Sequence, residues 1–216
     1  AIQGPKSFKL MEKVFGNKIN DLKFFKFDFF EFDNNKYLIS RSGFSKQGGF
    51  EIHTDNVNNA LKLYDHFFTI GKEFNLKPGT PNHPERIEGG LLSYGNDMDL
   101  GDNPYECGFD KYVNLESDIV FLGKKSLKEI INKGIKRKLM GVKINTNSLN
   151  ITDIVPLTSL DNNTIGELRS AAYSPSLKKI VGIAMVNKDF CNISQKFNIK
   201  IEEKLVSGEI CNFPIK

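Results

Sequence analysis

The chain has 216 residues, of which 39% are apolar and 26% charged, a composition typical of one large or two small globular domains. Its formal net charge of +4 is spread along the sequence without a long basic tract, which argues against nucleic-acid binding and places most lysines on a solvated surface. We find no run of about eighteen apolar residues and no leader sequence, so we expect no membrane span, no signal peptide and a cytoplasmic location.

The first predicted element is a short amphipathic helix that starts after Pro5. Phe8, Met11 and Phe15 recur at helical spacing, and Gly16 ends the pattern. Proline is favoured at a helix start and glycine just after a helix end, so both boundaries are marked in the sequence.

A β-hairpin is predicted next, from residues 22–33 and 36–40 with Asn34 and Asn35 between them. Phenylalanines alternate with charged residues from Phe25 to Phe29. Because strict alternation is what one buried face of a sheet requires, we expect these rings to be core rather than a stacking platform for bases.

The segment RSGFSKQGGFEI at residues 41–52 predicts a tight turn that leads into a strand. Its three glycines permit positive φ angles and close backbone approach. Alternation along the strand places Glu51 on the face opposite Phe50 and Ile52, which aims one carboxylate at a cavity. The alternative for Glu51 is an exposed acid on a strand edge.

Two helices are predicted after this strand. Asp55 or Asn56 is a suitable cap for a helix that continues to about Phe74, and a second helix begins near Pro84. Arg86 lies in the opening turns of the second helix. A guanidinium there suits an anionic ligand, while an ion pair with a nearby acid is the alternative.

Beyond residue 95 the pattern becomes more irregular and then rich in β structure. We predict a strand at 112–115, a helix at 123–133 and short strands at 139–144, 165–172, 180–186 and 197–201. This predicts two domains, residues 1–136 and 137–216, of which the second is a small all-β domain.

Cysteine and histidine residues give no sign of a metal site or a disulfide framework. The three cysteines are far apart, in no Cys-x-x-Cys pair, and the three histidines have no metal-ligand spacing. We therefore expect ordinary thiols and no bound metal.

Four segments together resemble one protein family. They are AIQGP at residues 1–5, the turn segment at 41–52, ERIEGGLLSYGNDMD at 85–99 and SPSLKK at 174–179. The second and third are similar to motifs of the tetrahydrofolate-dependent aminomethyltransferases typified by the glycine cleavage T-protein, and within that family most similar to the dimethylsulfoniopropionate demethylases.

The resemblance implies an α+β fold: a folate-binding aminomethyltransferase-like core, incomplete at its amino-terminal side, followed by a small carboxy-terminal β-barrel domain. It implies tetrahydrofolate as cofactor and a folate contact by Glu51, whose carboxylate suits the N–H edge of a reduced pterin. Ligand binding is implied for Arg86 and expected for Tyr94, whereas the neighbouring Asp97 is interpreted as structural. Phe44, at a commonly aromatic position, is a candidate to face a cationic donor, with core packing as the favoured interpretation.

The implied reaction transfers a one-carbon unit to N5 of tetrahydrofolate from a small methylated donor, most simply the sulfonium dimethylsulfoniopropionate. The family's catalytic aspartate lies in an amino-terminal region that this chain does not contain, so the chain alone is expected to be inactive. A T-protein would also need a lipoyl carrier protein as partner, but the tyrosine that T-proteins have near the carboxyl terminus is absent here. A non-catalytic folate-binding module and a scaffold half with its chemistry elsewhere are the other interpretations.

Overall fold

The computed structural model describes residues 1–149, 151 and 153–215, and the chain divides into two compact units. The amino-terminal unit is Ala1–Asn82 and the carboxy-terminal unit is His83–Lys216. None of the helices in the described residues is long and apolar enough to cross a membrane. The sequence-based domain boundary between residues 136 and 137 falls where the first strand of the barrel begins, and it stays a prediction.

The amino-terminal unit contains a four-stranded antiparallel sheet and two α-helices. The strand order in the sheet is β1-β4-β3-β2, so β2 lies at one edge. The bounds are β1 Ile2–Gln3, α1 Ser7–Phe15, β2 Phe27–Phe32, β3 Asn35–Ser40, β4 Gly49–His53 and α2 Val57–Gly71.

Local sequence signals explain most of these boundaries. Helix α1 ends at Gly16, whose φ of 79° is a left-handed value, and Asn56 caps α2 by accepting a hydrogen bond from the Asn59 backbone N–H at 3.1 Å. The predicted hairpin is confirmed as β2 and β3, with its turn one residue earlier than expected. Asp33 and Asn34 both have positive φ, as two-residue hairpin turns require.

One face of this sheet is covered by α1 and α2. Phe30, Tyr37, Ile39 and Phe50 point to that side and are almost completely buried together with residues of both helices. The ring of Phe8 on α1 packs edge-on against Phe50, with centroids 4.8 Å apart. The helices and the covered face form the core of this unit.

The other face of the sheet is left uncovered by the α-helices of this unit. We call it the open sheet face and define it by the residues that the strand register places there: Phe27, Phe29, Leu38, Ser40, Glu51 and His53. Phe27 is 64% exposed and Phe29 54% exposed. The prediction that the alternating phenylalanines are core was therefore wrong. The strand carries phenylalanine on both faces, and the helices cover only the face that holds Phe30.

The carboxy-terminal unit is built around a closed antiparallel barrel with the strand order β10-β5-β8-β7-β6-β9. Apolar side chains from all these strands fill its interior. The predicted carboxy-terminal barrel is thus confirmed. Its strands and the helices of this unit are α3 His83–Glu88, α4 Lys124–Lys133, β5 Arg137–Ile144, β6 Val155–Thr158, β7 Thr164–Ser174, β8 Lys179–Asn187, β9 Lys196–Ile201 and β10 Lys204–Cys211.

Three local predictions differ from the structure of this unit. Residues 112–115 were expected to form a strand, but a 3-10 helix occupies Asp110–Tyr112 and no strand follows directly. Strands β6 and β10 were not predicted. Both have only short apolar alternation, and each is held in the barrel by two neighbouring strands.

Candidate functional site in the amino-terminal unit

Glu51 lies in the middle of β4 and is half-buried on the open sheet face. Its Oε2 accepts a short hydrogen bond from the Ser42 hydroxyl. The Ser40 and Ser42 hydroxyl oxygens are 2.8 Å apart, and because Ser42 gives its only proton to Glu51, Ser40 is the donor in that pair. Within residues 1–149, 151 and 153–215, Oε1 of Glu51 accepts no hydrogen bond, so one carboxylate oxygen is fixed and the other is free to receive a donor.

The turn before β4 is fastened to the start of the chain by Gln3. The amide nitrogen of Gln3 donates to the backbone carbonyls of Ser42, at 3.1 Å, and Phe50, at 3.3 Å. Its amide oxygen accepts from the Ser45 hydroxyl at 2.7 Å. Gln3 therefore holds together the two ends of the segment that carries Ser42 and Glu51.

Two of the three glycines in this turn, Gly43 and Gly49, lie too close to β1 for a Cβ atom. A Cβ atom at Gly49 would lie 2.3 Å from the backbone oxygen of Ile2, and one at Gly43 would lie 2.1 Å from the Gln3 amide oxygen. Gly49 also has a φ of 149°, a value that side-chain-bearing residues rarely adopt. The glycine-rich turn thus serves close backbone packing against β1.

The strand register aligns Glu51 with an exposed aromatic ring. Ser40 pairs with Glu51 on one side and with Phe27 on the other, so the three side chains form one row across the open sheet face. The neighbouring row contains His53, Leu38 and Phe29. The free oxygen of Glu51 therefore lies on the same surface as apolar rings. A hydrogen-bond acceptor and an apolar ring are the two kinds of group that bind a flat heterocycle with N–H donors.

Phe44, the second residue expected to bind a ligand in this unit, lies within the turn and is half-buried. Its neighbour Arg41 donates to the Leu22 carbonyl at 3.1 Å and lies over the ring of Phe8 at 4.7 Å. Arg41, in the same segment, thus contacts both the Leu22 carbonyl and the ring of Phe8. The donor-facing role of Phe44 stays a prediction.

In the carboxy-terminal unit, Arg86 is buried in an internal network. Its side chain is only 4% exposed and forms an ion pair with Asp97 at 2.6 Å. It also donates to His83 Nδ1, to the Leu91 carbonyl and to the Ser170 hydroxyl. These four bonds use four of the five N–H donors of a guanidinium.

Both carboxylate oxygens of Asp97 accept hydrogen bonds. Asp97 accepts from Arg86, from the Ser93 backbone N–H at 2.6 Å and from the Ser170 hydroxyl at 2.5 Å. The Ser93 bond reaches back four residues and closes the loop that contains Tyr94. Asp97 therefore joins α3, this loop and strand β7.

His83 completes the Arg86 network. Desolvation and the positive charge of Arg86 lower the pKa of His83, and the negative charge of Asp97 opposes them only in part. Nδ1 accepts the bond from Arg86, which requires the neutral form of the ring.

Tyr94, the last expected ligand contact, has a 64% exposed side chain on the loop that Asp97 closes. Its backbone forms an isolated bridge with Met98. The ring is accessible to a ligand, and the predicted folate contact stays a prediction.

A second buried ionic group, which the sequence did not predict, supports the same loop. Arg169 on β7 donates to both carboxylate oxygens of Asp102 and to Glu167, and Arg137 on β5 donates to Asp102 and Glu106. Burial alone would raise the pKa of Asp102, but the hydrogen bonds from Arg169 and the Asp99 backbone, with both arginine charges, lower it overall. The lowered pKa favours the charged form of Asp102, which pairs with arginines from two barrel strands.

Sequence reasoning missed two residues of the Glu51 site, Gln3 and Ser42. Both lie in segments that carried the family resemblance, so their positions were marked but their roles were not. Only the fold shows that Gln3 reaches a turn about forty residues later in the chain. Among the described residues, no three His, Cys, Asp or Glu side chains come together as a metal-binding group.

Comparisons with known proteins define the class to which this fold and site belong. The family model for the GCVT N-terminal domain matches residues 1–117, and the model for the glycine cleavage T-protein C-terminal barrel domain matches residues 137–215. The chain therefore belongs to the glycine cleavage T-protein family, as its motifs predicted.

Individual relatives lie on two branches. The chain is 38% identical over 188 residues to the dimethylsulfoniopropionate demethylase DmdA of Ruegeria pomeroyi, covering 87% of this chain and 51% of that protein. It is 31% identical over 207 residues to an aminomethyltransferase of Thermoanaerobacter pseudethanolicus, covering 94% of this chain and 55% of that protein. This chain thus spans about half the length of these relatives.

A solved structure shows the same fold. The glycine cleavage system aminomethyltransferase T from Bartonella henselae superposes with a TM-score of 0.77 at 24% identity, covering 90% of this chain and 53% of that one. Members of the family use tetrahydrofolate as one-carbon acceptor or carrier. The free oxygen of Glu51 beside exposed rings fits the N–H edge and flat ring of a reduced pterin.

Proposed function

We propose that this chain supplies the folate-binding sheet and the barrel of a tetrahydrofolate-dependent methyltransferase whose favoured donor is dimethylsulfoniopropionate. The proposal is carried by one observation: Glu51 is held on an uncovered sheet face with one carboxylate oxygen bonded and the other free. The choice of donor is supported by the higher identity to the demethylase, 38% against 31% for the aminomethyltransferase.

Glu51 would accept N–H bonds from the pterin through its free oxygen. The bond from Ser42, which is itself held by Ser40 and Gln3, fixes the carboxylate so that little side-chain entropy is lost on binding. Bound tetrahydrofolate supplies a nucleophilic nitrogen that takes up the one-carbon unit.

The other three predicted ligand contacts differ in how much of each side chain a ligand could reach. Arg86 gives four of its N–H groups to protein partners, so a ligand would meet it only through the remaining one. Tyr94 offers a largely exposed ring, and Phe44 is proposed to face the cationic donor.

A sulfonium is already an activated methyl donor, so the protein acts mainly by alignment and by exclusion of water. The α-helices of the amino-terminal unit leave the open sheet face uncovered, and we expect the chain alone to bind folate weakly and to have no turnover. Activity is therefore a property proposed for the complete protein, in which further polypeptide accompanies this chain.

The test is an assay of the complete protein with tetrahydrofolate and dimethylsulfoniopropionate, in which 5-methyltetrahydrofolate and methylthiopropionate are followed by mass spectrometry. Loss of a charged hydrogen bond in Glu51→Gln is expected to weaken folate binding about 10- to 100-fold. Glu31→Gln is the matched control, because Glu31 lies on the same face of the sheet as Glu51 but pairs with exposed Lys36. This variant should change folate binding by less than about twofold.

Three results would overturn parts of this proposal. Turnover with a lipoyl-bound aminomethyl group, and none with dimethylsulfoniopropionate, would replace the demethylase by the aminomethyltransferase, the alternative that the 31% identical relative supports. Folate binding without transfer from either donor would indicate a non-catalytic folate-binding module. Equal folate binding by Glu51→Gln and wild type would remove Glu51 from the site.

A further inference from the structure

Strand β7 contains one residue more than its pairing with β8 needs. Leu168 pairs with Ala184 and Ser170 pairs with Ile183, so two steps along β7 correspond to one step along β8. Arg169 is therefore the extra residue of a β-bulge. A bulge interrupts the strict alternation of side chains in a strand and redirects one of them, and bulges are common beside functional sites.

The bulge places two consecutive side chains on the outside of the barrel. Leu168 belongs to the apolar interior, and Ala171 packs against that interior. Ser170 pairs with Ile183, whose side chain belongs to the apolar cluster outside the barrel. In a regular strand, alternation from Leu168 would turn Arg169 outward and Ser170 inward. Because of the bulge, both face outward.

The barrel itself does not need the extra residue. If Arg169 were missing, simple alternation would still place Leu168 inside, Ser170 outside and Ala171 inside. The apolar interior therefore gives no reason for a bulge at this position. The reason must come from the groups that Arg169 contacts.

Those contacts lie in the loop at residues 93–102. The side chain of Arg169 is 5% exposed and donates to both carboxylate oxygens of Asp102 and, at 2.9 Å, to the Asp97 backbone carbonyl. Asp102 also accepts from the Asp99 backbone N–H at 2.9 Å. A guanidinium forked onto a carboxylate is a contact of defined geometry. One side chain thus fixes the loop at two points.

Ser170 fastens the same loop from the next position of the strand. Its hydroxyl donates to the Asp97 carboxylate at 2.5 Å and accepts from Arg86 at 3.1 Å. Asp97 also accepts from the Ser93 backbone N–H, which closes the part of the loop that carries Tyr94. Two consecutive residues of β7 therefore hold a buried arginine and the loop of an exposed aromatic ring.

We propose that Arg169 is a positioning residue for the ligand contacts of Arg86 and Tyr94. By fixing the 93–102 loop, it holds in place the N–H group that Arg86 does not give to protein partners and the accessible ring of Tyr94. Groups that are ordered before a ligand arrives lose less conformational entropy on binding. The role of Arg169 rests on the function proposed above, in which both residues contact the ligand.

The experiment compares wild type, Arg169→Gln and Arg169→Lys in the complete protein. Titration calorimetry measures the Kd of tetrahydrofolate, and hydrogen exchange measures the protection of the 93–102 amides, several of which bond within the loop. Arg169→Gln is expected to weaken folate binding about tenfold and to speed exchange in this loop, because the loop loses both fixed points. Arg169→Lys keeps the positive charge beside Asp102, so its Kd should lie between those of the other two proteins.

Ile199→Ala is the matched control for a loss of stability. Ile199 is fully buried in the barrel interior, on a strand that pairs with β6 and β10, so its truncation lowers stability without touching the 93–102 loop. This variant should melt at a lower temperature than wild type. Its Kd for tetrahydrofolate, measured well below the melting temperature, should stay within about twofold of wild type.

Two outcomes would overturn the positioning role: an Arg169→Gln protein with the folate affinity of wild type, or an equal loss of affinity in Arg169→Gln and Ile199→Ala, which would assign Arg169 to stability alone. A wild type that does not bind tetrahydrofolate would overturn the proposed function instead. In that case the fixing of the loop by Arg169 still stands if Arg169→Gln speeds exchange in residues 93–102 and not in the barrel strands, and it falls if exchange in the loop is unchanged.

Discussion

At the scale of single residues, the best-defined interactions of this chain are buried ion pairs that hold loops. Arg86 and Asp97 have almost no exposed surface, and every oxygen of Asp97 is bonded. Because both charges were removed from water on folding, each depends on the other. An arginine that sequence reasoning assigned to a ligand thus has a carboxylate partner of its own.

Removing the charge of Asp97 should be costly. Asp97→Asn leaves the Arg86 guanidinium buried without a counter-charge, and we expect the free energy of unfolding to fall by about 3–5 kcal/mol. Urea denaturation followed by circular dichroism measures this loss. Asp161→Asn is the control: Asp161 is exposed, so a similar loss in that variant would show that the effect does not come from the buried pair.

At the scale of elements, the glycine-rich turn and β1 form one unit around Gln3. The turn passes so close to β1 that Gly49 has no room for a Cβ atom, and Gln3 bonds both ends of the segment. The position of Glu51 therefore depends on an element near the amino terminus as well as on its own strand.

Gly49→Ala is expected to disturb this element strongly. The added methyl group meets a backbone oxygen, which cannot move aside as a flexible side chain does, and we expect a loss of about 1–3 kcal/mol in stability. Gly79→Ala is the control, since a Cβ there has no atom within 4 Å. Thermal unfolding of the two variants checks the difference. Equal melting temperatures would mean that the turn is not tightly packed on β1.

At the scale of the whole molecule, the two units differ in what they bury. The amino-terminal unit covers one face of its sheet and leaves the other open, whereas the barrel of the carboxy-terminal unit closes on itself and has no free edge. All three cysteines lie in the carboxy-terminal unit, and burial raises the pKa of Cys107 and of Cys211 to about 11.

Thiol labelling should therefore report the opening of the carboxy-terminal unit. A Cys191→Ser chain keeps only the two buried thiols, Cys107 and Cys211. At pH 8 about one in a thousand of each is in the reactive thiolate form, and burial also shields both from the reagent. We expect labelling by a disulfide reagent only at the rate of unfolding, with full reaction of two thiols in urea. Rapid labelling of the native chain would contradict this.

Much of the fold was accessible from sequence because its signals are local. Gly16 ended the first helix, Asn34 and Asn35 marked a hairpin, and alternating apolar residues predicted most barrel strands. Glu51 was identified because a turn and a strand fix the side of the sheet to which a residue points. The family followed from short motifs, and the family models confirmed it.

The tertiary structure decided which partners these residues have. The sequence alone could not show that Arg86 pairs with Asp97 and reaches Ser170, since that contact joins positions 84 residues apart. Nor could it show that Phe27 and Phe29 face outward while Phe30 is core, because alternation defines two faces without saying which one is covered. Periodicity and turn chemistry act over a few residues, whereas burial and charge pairing depend on which elements pack together.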